Sequence, residues 1–144
     1  KGDKLMITEE AKRRMAMFLK TFTTTAKVGN GGDSTNPSSN DLDSVVASSS
    51  SFSSVLSDEN VVDFNATFNS LNGETIREFG IFATLPSNEV HFNTLKTNMA
   101  LSVSDTISTA VTTDTVMIAR FNFDALGPFT ASDTIDITLV AEVE

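Results

Sequence analysis

Between Val62 and Phe68 apolar and polar residues alternate without a break, with Val62, Phe64, Ala66 and Phe68 on one side of the register and Asp63, Asn65 and Thr67 on the other. A period of two turns one strand face toward a core and the other toward water. The next run, from Thr75, carries Phe79 and Ile81 on one face and Ile76 and Phe82 on the other, the pattern of an inner strand buried on both sides. Asn72-Gly73 between them reads as a hairpin turn. Near the carboxy terminus Met117, Ala119, Phe121 and Phe123 share one face, and Ile135, Ile137, Leu139, Ala141 and Val143 alternate with polar residues, with Gly127-Pro128 separating the two strands. Residues 87 to 114 hold apolar residues at strand-like spacing and read as two or three short strands.

One segment follows a different period. From Thr8 to Phe22 the apolar residues Ala11, Met15, Phe18, Leu19 and Phe22 fall on one helical face, with Lys12, Arg13 and Lys20 opposite. Thr8 suits an N-cap, and Glu9 and Glu10 sit where the helix dipole favours negative charge. The Thr-rich stretch to Val28 reads as a strand. From Gly29 to Ser57 periodicity is lost among Gly, Ser, Asn and Asp, which predicts a long polar loop with Val45, Val46, Phe52, Val55 and Leu56 as anchors and room for short strands. The pattern as a whole predicts one mainly β domain, an antiparallel β-sandwich with an amino-terminal amphipathic α-helix over an open side and a β core at 58 to 144.

Composition agrees with that picture. The chain of 144 residues has 17 Ser and 19 Thr, 11 Phe as its whole aromatic content, and no Cys, so neither disulfides nor thiolate metal sites support the core. The net charge of −9 divides into +4 over residues 1 to 27 and −13 over the rest. An anionic body makes nucleic acid and anionic lipid poor partners. Lys12, Arg13, Arg14 and Lys20 form a basic patch that is either a solvated helix face or a meeting point for an acidic surface. No run approaches the roughly 18 apolar residues of a membrane span, and the start lacks the apolar stretch of a signal peptide, so a soluble protein is expected.

Little in the chain points to catalysis or cofactors. The only His, His91, lies in an alternating run that puts it on a surface face, away from any nucleophile–base arrangement. The glycine-rich segment at 29 to 36 lacks the Lys and the spacing of a phosphate loop. Asn30, Asp33, Asp41 and Asp43 offer hard oxygen ligands for a cation such as calcium, in a spacing unlike an EF-hand and equally suited to turns. A sugar site would lack the stacking platforms of Trp and Tyr, and the sequon Asn65-Ala66-Thr67 lies mid-strand.

The segment from Asn65 to Phe82, with Gly73, Thr75, Ile76, Arg77, Glu78, Phe79, Gly80 and Phe82 at its centre, resembles a pattern found in structural proteins of tailed bacteriophages of tail-fibre and baseplate type. In that pattern a Phe-bearing strand and a glycine turn precede an IREFGIF-like strand. The MIARF run at 117 to 121, the alternating strand at 131 to 139, and the VGNGGDSTNPSSNDLDS stretch from Val28 are similar to later and earlier pieces of the same pattern. Relative to it, residues 87 to 114 are an insertion where contacts particular to this chain would be made, with Phe92 and Met99 as candidates beside the basic patch. The resemblance implies a non-enzymatic virion subunit without cofactor or catalytic residue, assembled in the host cytoplasm as a homo-oligomer with other virion structural proteins. A tail, baseplate or fibre-associated component is favoured over a head decoration protein, and a carbohydrate-binding module is the rival from another class. Within the motif, Gly80 leaves room for close approach of a backbone or ring, and Arg77 and Glu78 point to opposite faces, each needing its own partner if buried.

Overall fold

In the computed structural model the described residues are 6–32, 41–84 and 115–144. They form one helix, α1 (Glu9–Phe22), and seven strands, β1 (Thr23–Gly29), β2 (Val45–Ser48), β3 (Ser51–Asp58), β4 (Val61–Phe68), β5 (Ile76–Thr84), β6 (Thr115–Leu126) and β7 (Ile135–Glu142). The strands make two antiparallel sheets, one ordered β2-β1-β5-β6 and the other β3-β4-β7. Their inner faces share one core: Ala26, Val28, Phe79 and Ile81 from the first sheet meet Val62, Phe64, Ala66 and Phe68 from the second. Phe68 and Phe79 make an edge-on contact between the sheets, with ring centroids 6.2 Å apart. The expected mainly β sandwich with one amino-terminal helix is therefore the observed architecture.

The clean alternation of β4 is explained by its place between β3 and β7, with the four apolar side chains buried and Asn65 exposed. β5 lies between β1 and β6 and is buried from Glu78 to Ala83, as its apolar residues on both faces require. One detail departs from simple alternation. A register shift between Ile76 and Glu78 turns Ile76 into the core beside Phe79 and Ile81, which leaves Phe82 on the opposite face.

One turn joins elements other than those expected. Asn72-Gly73 carries the chain from β4 in one sheet to β5 in the other, so it is a crossover and not a hairpin. Leu71, fully buried, anchors this crossover; Glu74 N–H donates to the Leu71 carbonyl at 2.9 Å, and Gly73 adopts φ 78°. The β6–β7 connection crosses back beside it, with Gly73 N–H bonded to the Phe129 carbonyl at 2.8 Å and Phe129 N–H to the Glu74 carbonyl at 3.0 Å. Both strands flanking Asn72-Gly73 are already paired on both sides, which leaves them no edge to share.

The expected loop from Gly29 to Ser57 ends early, because Val45 to Ser48 and Ser51 to Asp58 are strands. At Ser49-Ser50 the chain passes from one sheet to the other while staying hydrogen-bonded: Ser49 N–H donates to Ala26 and Ser50 N–H to Thr67, each at 2.8 Å. The two-residue Glu59-Asn60 turn then forms the β3–β4 hairpin. The strands expected within 87 to 114 lie outside the described residues.

Candidate assembly surfaces and a buried carboxylate

Phe79 and Ile81 point into the core, so Glu78, Gly80 and Phe82 lie on the outer face of the four-stranded sheet. The described residues just before β2, Leu42 above all, fold over that face. Leu42, 6% exposed, comes within 3.1 Å of where a Gly80 Cβ would stand, so the absent side chain admits Leu42 beside the Phe82 ring. Lys27 caps the same ring at 4.5 Å and holds Asp41 at 3.2 Å.

Glu78 is fully buried, and its carboxylate is saturated. One oxygen, Oε2, accepts from Gly31 N–H at 3.0 Å and Ser44 N–H at 2.9 Å; Oε1 accepts from Asp43 N–H at 3.0 Å and from Arg120 Nη2 at 2.8 Å. A buried charge is tolerated on these terms, with a cation and several donors replacing water. Glycine makes the approach possible: a Cβ on Gly29 would stand 2.4 Å from Glu78 Oε2 and from the Ser44 carbonyl, and one on Gly31 would stand 2.5 Å from Asp43 Cβ. The arrangement fastens both ends of the β1–β2 connection to the centre of the sheet. It leaves no carboxylate lone pair directed at solvent for proton transfer.

The residues from Gly73 to Phe82 therefore divide by task. Gly73 turns the crossover, Ile76 and Phe79 fill the core, Thr75 is half-buried, Arg77 is exposed, and Glu78, Gly80 and Phe82 carry the covering loop. Arg120 of MIARF and Gly29 and Gly31 of VGNGG converge on Glu78. A carboxylate at a doubly buried strand position was the available signal for such a joint; its partners, 34 to 47 residues away in sequence, carried none of their own.

Two of the candidate cation ligands, Asp41 and Asp43, have partners of their own. Asp41 is paired with Lys27 and accepts from Leu42 N–H at 2.8 Å, Asp43 lies 3.4 Å from Arg120, and Asp33 is outside the described residues. Among the described residues no three His, Asp or Glu side chains gather in a group able to hold a metal.

The helix starts as expected, Thr8 Oγ1 accepting from Ala11 N–H at 3.1 Å, but it packs by a different face. Ala16 is its one buried residue, flanked by the half-buried Lys12, Arg13 and Lys20; of the apolar stripe Ala11, Leu19 and Phe22 are half-buried, with Leu19 packed against the core, whereas Met15 and Phe18 are 44% and 45% exposed. The basic residues are largely occupied by nearby acids. Lys12 pairs with Glu9 at 3.5 Å, Arg14 with Glu10 at 3.1 Å, and Arg13 with Glu10 and, at 3.0 Å, with Glu59, whose hydrogen bond and charge hold the Arg13 guanidinium above its ordinary pKa. Lys20 receives a hydrogen bond at its carbonyl from Ser54 Oγ at 2.9 Å. His91, Phe92 and Met99 lie outside the described residues. No helix among the described residues is long and apolar enough to cross a membrane.

What remains open is apolar. A shallow groove of about 660 Å³ runs along the helix, lined by Ala11, Arg14, Met15, Phe18, Leu19 and Val143. A smaller slot of about 190 Å³ lies between β6 and β7, the last strands of their sheets, lined chiefly by Phe79, Phe121, Phe123, Ile137 and Leu139. Neither family models, curated proteins nor solved structures match the chain.

Proposed function

We propose that the chain is a non-enzymatic structural subunit of a bacteriophage virion, a tail, baseplate or fibre-associated component that assembles through repeated protein–protein contacts. The observation that carries this reading is the convergence of three separated pieces of the phage-like pattern on one joint. Gly29 and Gly31, Glu78, and Arg120 meet where a buried carboxylate is consumed by three backbone N–H groups and a guanidinium. A pattern that spends Glu78 and Arg120 on fastening a loop to a sheet encodes an architecture. The groove along the helix and the slot between β6 and β7 supply apolar surface of the kind that assembly covers.

Mass spectrometry of purified particles, followed by gold-labelled antibody against this chain, tests the assignment. The expected result is recovery in a fixed multiple per particle with label on the tail. Label confined to the head would move the chain to a decoration role, and absence from intact particles would end the virion reading.

A further inference from the structure

We infer that β6 is the seam of a two-fold contact with a second copy of this chain, the strand pairing antiparallel to itself about Asn122. Among the described residues β6 is the last strand of its sheet, with β5 on one side only. Such an edge is a template for another strand. Phe121 marks where cover is missing: it lines the same apolar slot as Phe79 and Phe123, yet it is 46% exposed.

The sequence of the strand selects the occupant. About Asn122 it is symmetric in chemical type: Phe121 mirrors Phe123, Ala119 mirrors Ala125, and the basic Arg120 mirrors the acidic Asp124. That symmetry within one edge strand is what an isologous contact requires. A two-fold axis perpendicular to the sheet keeps inner faces inner, so only an axis passing through a residue joins inner side chains to inner ones. An axis at Arg120 or Asp124 opposes like charges, and one at Phe121 or Phe123 sets a Phe against an Ala. At Asn122 each Phe121 lies against a Phe123, and each exposed Asp124 lies across from an Arg120. Arg120 keeps its bond to Glu78, since the contact asks of it no new ion pair, only that the charge across from it not be positive. The two four-stranded sheets then run on as one. This contact deepens the assembly reading above and rests on it for its setting in the particle, while dimerisation itself belongs to the chain alone.

The test uses the full chain in solution. Sedimentation equilibrium is expected to show a monomer–dimer equilibrium. Asp124→Arg, at an exposed position, sets like charges across from each other twice per dimer and should raise the dissociation constant at least about fivefold. Because the chain has no Cys, Asn122→Cys on the axis should oxidise to a covalent dimer, and Phe121→Cys should link to Phe123→Cys when the two variants are mixed. Hydrogen exchange of the wild-type chain, followed from low to high concentration, should slow in β6 and stay unchanged in the edge strands β2 and β3. A wild-type chain monomeric at millimolar concentration, a dimer whose β6 amides exchange as in the monomer, or a dimer indifferent to Asp124→Arg would each overturn the inference. Particle mass spectrometry is independent of all of these, so the dimer and the virion assignment can fail separately.

Discussion

Arg120 Nη2 lies 2.8 Å from Glu78 Oε1, a diagonal contact between β6 and β5 in which Arg120 stands opposite Gly80 and Glu78 opposite Asn122. The guanidinium is one of four donors on that carboxylate, the other three being backbone N–H groups. The two partners are therefore unequal. Glu78→Gln turns an amide NH₂ onto backbone donors whichever way it is flipped and should cost about 3–5 kcal/mol. Arg120→Met leaves the three N–H bonds in place and should cost less, about 1–3 kcal/mol. Urea unfolding of both variants and the double variant should give this order and a non-additive pair. Equal losses would mean that the ion pair, not the backbone cradle, holds the carboxylate.

The glycines around the joint should rank by what their Cβ would strike. Gly29→Ala drives a methyl against a carboxylate oxygen and a carbonyl, both at 2.4 Å, and should destabilise by about 2 kcal/mol or more. Gly73 has φ 78° but nothing within 4 Å of its Cβ position, so Gly73→Ala meets only the left-handed backbone cost of about 1 kcal/mol. Gly80→Ala presses mainly on the Leu42 and Phe82 side chains, which can shift, and should fall at or below Gly73→Ala. Thermal melts of the three variants would check the order.

The strands were legible in the sequence where burial follows a strict period, as in β4, or fills both faces, as in β5. β3 was not, because its inward residues are Phe52, Ser54 and Leu56: Ser54 breaks the apolar period while bonding the Lys20 carbonyl at the end of α1. Which strands pair was also hidden. Alternation reports the buried face of a strand and says nothing of its sheet, so Asn72-Gly73 gave the same local signal for a crossover as for a hairpin. The Glu78 joint showed one member only, since its loop donors are backbone N–H groups that any residue type could supply. The helix misled for a comparable reason. An apolar stripe records that a face is to be covered, without recording whether its own chain or another covers it.

Leu42 is the sole large apolar side chain that the described part of the β1–β2 connection buries, 6% exposed on the outer sheet face. Leu42→Ala should cost about 2–3 kcal/mol, at the low end for a buried leucine because the site borders the surface. Hydrogen exchange should localise the effect, with faster exchange at the Asp43 and Ser44 amides that grip Glu78 and unchanged rates in β4. Acceleration spread evenly over both sheets would show that the plug is part of the common core.

On α1 the measured cost of substitution should invert the order that side-chain size suggests. Ala16 is fully buried between helix and sandwich, so Ala16→Leu must push the helix outward or strain its neighbours, at about 1–3 kcal/mol. Phe18, 45% exposed, keeps mainly its contact with Phe22, and Phe18→Ala should cost the dilute protein under about 1 kcal/mol. Chemical denaturation at low micromolar concentration measures this intrachain cost. A loss of several kcal/mol in dilute Phe18→Ala, with Ala16→Leu tolerated, would place the Met15–Phe18 side of the helix against the sandwich after all.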